Sequence, residues 1–156
     1  MILYHGSFKE VSEPDLNHSR RNVDFCPGFY VTPLYEQAAK WCRKFMREQK
    51  PGVVSIYSFD DKMKSELRML EFESYSDEWL DFILKCRRGK DYSDYDLVTG
   101  GVANDKVFNT VELFFDGLID KNEAIKRLKF EKPNLQYCFR TEKALRLLCF
   151  EGSEIL

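Results

Sequence analysis

A chain of 156 residues is the length of one ordinary domain, and the expectation is a single domain over residues 1–156. Its 44% hydrophobic and 15% aromatic content excludes a disordered tail and is ample for a packed interior. With 24 Lys and Arg against 26 Asp and Glu, the formal charge of -2 excludes an overall positive field for nucleic acid and leaves only a local basic groove open.

Taken from the start, Ile2 to His5 reads as a short strand that Gly6 and Ser7 end in a turn. Residues 8–24 are polar, contain Pro14 and keep neither a period of 2 nor of 3.6. This predicts a long loop, and loops of about 15 or more residues inside a compact domain usually serve function. "LYEQAAKWCRKF" places Leu34, Ala38, Trp41 and Phe45 on one helical face, with Pro33 suited to the first turn. "GVVSIYSFD" and "LRMLEFE" read as two strands paired with each other. In "SDEWLDFILKCRRG" the Ser76 cap, the acidic first turn and the closing Gly89 mark both ends of a helix.

"YDLVTGG" has the character of a buried strand ending in a Gly-Gly turn. A helix closed by Gly117 follows, then a short helix in "DKNEAIKRLKF", a strand in "LQYCFR", a helix capped by Thr141 and a last strand in "LLCFEG". Strands and helices interleave without the regular crossovers of a doubly wound sheet, so the fold class is α+β. Cys26, Cys42, Cys86, Cys138 and Cys149 form no CxxC pair and have no His at zinc-type spacing, which reads as reduced and metal-free. The first residues lack a signal-peptide pattern and no apolar run approaches the ~20 residues of a membrane span. The expectation is a cytoplasmic protein without membrane contact, or one exported as an effector without a classical signal.

Among candidate residues, His5 at a strand end and His18 in the polar loop are each more often structural than functional. Gly6 is a turn residue or a point where a ligand approaches the backbone. Period 2 puts Gly28, Tyr30 and Thr32 on one face, where a glycine beside an aromatic leaves room for a flat ligand, while Phe25 and Phe29 read as core. Cys26 with His5 as base would make a thiol hydrolase, although nothing supplies a third orienting group. "SRR" at 19–21 and "RRG" at 87–89 are surface cations that could hold a phosphate. Asp24, Asp96 and Asp105 have no spacing that pairs them as acid and base.

Together, "LYHGS" and "FCPGFYVTPLYEQAAKWC" resemble the ADP-ribosyltransferase superfamily, in the His-Tyr branch of poly-ADP-ribose polymerases and diphtheria-type toxins. The first matches that branch's His-Gly-Ser strand, and the second its Phe-Gly-Lys-Gly-Ile-Tyr-Phe-Ala segment and the helix after it. A closer resemblance, over nearly the whole chain, is to a family of small bacterial domains with LYHGS, DFGxGFYxT, eQAxkWA and eWLdF in this order.

The resemblance implies a split β-sandwich with flanking helices, NAD as co-substrate in a cleft between two sheets, and no metal. His5 would bond the adenine-side ribose, Gly6 would grip the nicotinamide carboxamide, and Ser7 would orient a nearby group. Tyr30 and Trp41 would stack on the ring, and Gly28 belongs to the matching segment. The implied activity is mono-ADP-ribosyl transfer to a macromolecular acceptor, protein or nucleic acid, by a toxin, effector or defence component, with an antitoxin or immunity protein as candidate partner. A catalytically silent module binding NAD, ADP-ribose or a protein is the alternative. Two departures stand out. Gln136 occupies the position where many members carry a charge-stabilising Glu, and Cys26-Pro27 replaces Gly-x before Gly28. Asp96 and Asp105 are alternative carboxylates for the missing one.

Overall fold

The computed structural model describes residues 1–18, 23–91, 93–103 and 105–156, the side chain of residue 105 excepted. The pair at residues 20 and 21 therefore lies outside the described residues, as does any role for the residue 105 carboxylate. The chain is α+β, with two sheets. One orders β1 (Ile2–Ser7), β3 (Val53–Phe59) and β7 (Leu148–Ile155), all antiparallel. The other orders β2 (Phe29–Val31), β6 (Leu135–Phe139), β5 (Leu97–Gly101) and β4 (Met69–Glu71), with only β4 and β5 parallel. The pairing expected between β3 and β4 is overturned, since each belongs to a different sheet. A 3-10 turn at Asp61–Glu66, capped by Asp60, redirects the chain between them, and sequence pattern alone does not report such a switch.

Period 2 along the strands builds the layers. Leu3, Tyr57 and Phe59 of the first sheet share a buried cluster with Phe29, Val31, Leu97, Tyr137 and Phe139 of the second, so the two sheets pack face to face. On the outer face of the first sheet, Val54 packs with Ala38 and Cys42 of α1 (Tyr35–Arg47). On the outer face of the second, Val98 and Cys138 meet α2 (Asp77–Arg87), α3 (Asp105–Phe115) and α4 (Lys121–Leu128) through Trp79, Leu80, Ile83, Val107, Val111 and Leu128. Ser76 caps α2 as expected, its hydroxyl accepting from the Trp79 amide, and Thr141 caps the short α5 (Glu142–Leu145).

Several glycines do different work from that expected. Gly6 continues β1, paired with Val54, because α1 crosses it so closely that a Cβ would lie 2.2 Å from the Ala38 carbonyl oxygen. Gly100 and Gly101 lie inside β5 rather than in a turn, where a Cβ would meet Phe25 and Phe72 at the first and the Tyr75 ring at the second. The helical face also differs. The residues α1 buries against the sheet are Ala38 and Cys42, whereas Trp41 and Phe45 are only half-buried and Leu34 is exposed.

The expected reduced state is corrected for two cysteines. Cys26 and Cys86 form a disulfide across 60 positions, joining the segment before β2 to α2. Cys26 sits at φ 66°, so the pairing depends on a backbone turn that cysteine spacing does not reveal. Cys42, Cys138 and Cys149 are free. Closing a loop of this length removes denatured-state entropy worth about 4 kcal/mol. Urea unfolding in excess dithiothreitol, or of a Cys26→Ala/Cys86→Ala variant, should show a loss of that order relative to the oxidised protein.

Candidate functional site

Where the end of β1 passes β2, a cleft of about 1030 Å³ opens between the loop after β1 and the exposed side of α1. His5, Gly6, Ser7, Gly28, Tyr30, Trp41 and Gln136 all line it. The crossing is fixed by backbone bonds, with the Tyr4 amide donating to Thr32 O at 2.8 Å and the Thr32 amide donating back at 2.9 Å. One residue further on, His5 Nδ1 lies 2.7 Å from the Tyr30 carbonyl oxygen, and its ring stacks on Phe29 with centroids 4.5 Å apart.

A carbonyl oxygen only accepts, so Nδ1 of His5 carries the proton. Burial lowers the imidazole from its ordinary 6.5, a shift the Tyr30 bond only partly offsets. The neutral ring therefore keeps a lone pair on Nε2, which makes His5 a hydrogen-bond acceptor rather than a cation.

Tyr30 is held as firmly. Its hydroxyl donates to Cys26 O at 2.6 Å and accepts from the Phe25 amide at 2.9 Å. Burial pushes the phenol well above its usual range, so it stays protonated and offers the cleft its ring rather than a base. Gly28 lines the cleft, but its missing side chain answers a different need. A Cβ there would lie 2.4 Å from Cys138 Sγ and 2.8 Å from Phe139 O, so glycine lets the chain dock on β6 instead of clearing room for a ring.

The most exacting position is Gln136. It is 4% exposed, lies on β6 opposite Gly100, and its Nε2 has no hydrogen-bond partner among the described residues. Burying such a donor unmatched costs about 1–3 kcal/mol, which a ligand acceptor in the cleft would recover. Gln37 of α1 shares the cleft and was not singled out from the sequence. Its Nε2 donates to Leu135 O at 3.3 Å while its buried Oε1 lacks a partner among the described residues. The available signal was its position four residues before Trp41, on the same helical face; the apolar pattern counted only hydrophobic positions.

A family model described as "Protein of unknown function (DUF3990)" matches residues 1–150. The chain belongs to this family. No curated protein and no solved structure matches it. The other candidates separate within this DUF3990 member. Asp24 lines the cleft but its carboxylate takes two bonds from Arg87, which also binds Glu112, so the Arg87 charge is neutralised rather than free for phosphate. Asp96 lies away from the cleft lining. Burial would raise its carboxyl, but bonds from the Arg68 amide and the Thr141 hydroxyl hold it below the usual range, as a structural brace.

His18 lines the outer cleft in an exposed pair with Asp15. A hydrolase built on Cys26 and His5 is overturned, because the Cys26 sulfur is bonded to Cys86 and is no thiol. No described helix is long and apolar enough to cross a membrane.

Two outcomes follow from this geometry. The His5 ring resonances in an NMR titration should move with a midpoint below 6.5. Since the unfolded imidazole protonates first, stability should fall as pH drops through 6.5, and His5→Gln should flatten that fall. Tyr30→Phe strands the Phe25 amide and leaves the Cys26 carbonyl only the Cys138 thiol as donor, and urea unfolding should report a loss of about 1–3 kcal/mol.

Proposed function

We propose that this protein is an NAD-dependent mono-ADP-ribosyltransferase-like enzyme of the His-Tyr branch, its two face-to-face sheets being the split β-sandwich of that superfamily. The observation that carries the reading is the convergence in one cleft of His5, Tyr30 and Trp41 with the buried, unpartnered amide of Gln136. Sequence resemblance chose these residues; their meeting in one space, with a donor left to fill, supports the choice.

The residues present fit such a ligand. A sugar hydroxyl suits the free Nε2 of His5, a flat pyridinium suits the electron-rich faces of Tyr30 and Trp41, and a hydroxyl or carbonyl oxygen answers Gln136 Nε2. NAD supplies an ADP-ribosyl group whose bond to nicotinamide breaks with positive charge developing on the ribose. Toward that reaction His5 orients the ribose without adding charge of its own, because its ring is neutral. Tyr30 cannot accept a proton, so its contribution is to hold the ring in place. Gln136 positions a hydroxyl but supplies no negative charge, which fits transfer of a single unit better than chain elongation.

The same neutrality favours a second reading, a silent module that binds NAD or ADP-ribose without turning it over. Gln136→Glu separates the two: an enzyme gains or loses rate, whereas a binder changes only in affinity. For either, Gln136→Ala should weaken NAD about two- to twelve-fold, the worth of one neutral hydrogen bond, as read by calorimetry. The deciding experiment is incubation with labelled NAD and cell extract. Label entering a macromolecule supports transfer, and absence of label together with absence of heat stabilisation by NAD removes the NAD reading altogether.

A further inference from the structure

Charge is distributed unevenly around the cleft. Between Tyr35 and Lys50 the chain carries five cations, Lys40, Arg43, Lys44, Arg47 and Lys50, and two anions, Glu36 and Glu48, although the whole chain is net acidic. At 100° per residue, Arg43, Arg47, Lys40 and Lys44 fall in one arc of α1 that also holds Glu36 in the first turn, and that arc runs directly into the cleft-lining stripe of Gln37, Trp41 and Phe45. All four cations are exposed, and none has an ion-pair partner among the described residues. Attraction to the helix C-terminus accounts for Lys44 and Arg47 in the last turn, but not for Lys40 and Arg43 further back.

Aromatic rings interleave with these cations. Phe8, 43% exposed, contacts Phe45 with centroids 5.5 Å apart, and Lys9 and Lys50 lie 5.9 and 5.7 Å from the Phe8 ring. On the opposite wall Glu10 takes a bond from the Ser153 hydroxyl and Asp15 takes bonds from the Asn17 amide and His18, while Glu13 lines the cleft without an ion-pair partner among the described residues. The unpaired cations are therefore gathered on the α1 side of the cleft, across from the carboxylates of the loop after β1.

We propose that the exposed face of α1, with Phe8 and Phe45, binds single-stranded nucleic acid, its phosphates on Lys40, Arg43, Lys44 and Arg47 and its bases stacked on the rings. As the assignment of the acceptor this rests on the ADP-ribosyltransferase reading; as a binding surface it does not. Stacked aromatics beside a cationic track are what a flexible single strand uses, and base stacking makes such binding tolerant of sequence.

The test is fluorescence anisotropy with labelled 20-mers of uridylate and thymidylate, in single-stranded form and, for thymidylate, annealed to its complement, between 50 and 200 mM salt. The proposal expects binding of a single strand in preference to the duplex. Affinity should fall with salt, and Arg43→Ala/Arg47→Ala should reduce the log–log slope by about 0.7 per cation removed. Those two arginines lie outside the cleft lining, so heat stabilisation by NAD should be unchanged in that variant. Phe8→Ala should weaken the oligonucleotides while leaving heparin binding as it was.

The uridylate and thymidylate arms distinguish RNA from DNA. Absence of binding in every arm at 50 mM salt, tighter binding of duplex, or equal loss of heparin and oligonucleotide in Phe8→Ala would overturn the proposal. NAD stabilisation, measured alongside, keeps the enzymatic reading's failure separate.

Discussion

The site depends on a crossing of two segments, where Tyr4 of β1 and Thr32, directly after β2, exchange a pair of backbone hydrogen bonds. These strands belong to different sheets, so this bridge joins the sandwich halves along one edge. The next step along β1 brings His5 onto the Tyr30 carbonyl, so the proton position on its ring follows from backbone placement. Thr32 extends the same junction, its hydroxyl donating to Leu135 O and accepting from the Leu34 amide at the start of α1. β1, β2, β6 and α1 are thus tied within a few residues of the cleft.

That junction requires α1 to lie very close to β1, and Gly6 is what permits it. With Ala38 and Cys42 committed to the sheet, the helix has to turn another face outward. Gln37, Trp41 and Phe45 occupy this outward face and line the cleft, with the cations beyond them. One helix therefore closes the outer layer of the first sheet and forms a wall of the site. Its half-buried aromatics belong to the second task.

Much of this was legible from residue order. Ser76, Gly89 and Thr141 mark helix ends through local hydrogen bonding and backbone angle, and those signals are read from neighbours alone. The cleft residues His5, Tyr30, Trp41 and Gln136 were reached through resemblance, because none is distinctive by itself. What was not legible depends on contacts distant in sequence: β3 and β4 separating into two sheets, Gly100 and Gly101 staying in a strand beneath aromatic rings, Cys26 meeting Cys86. Gln37 escaped for a different reason, since a polar residue within an amphipathic helix is ordinarily solvated and its orphaned oxygen is a tertiary fact.

The interior of the cleft is kept electrically neutral by separate means. Burial holds His5 uncharged, burial holds Tyr30 protonated, and the Gln136 amide adds no charge. Arg87 is neutralised by Asp24 and Glu112, while the remaining formal charge lies at the rim, cationic on α1 and mixed on the loop after β1. A neutral interior selects by hydrogen-bond pattern and ring shape; a charged rim attracts from a distance but discriminates little. The two parts of the site therefore suit different ligands, a flat ring on the floor and a separate polyanion along α1. For the ADP-ribosyl transfer we propose, Gln136 bears on the chemical step rather than on recognition, because developing positive charge is the one demand a neutral floor does not meet.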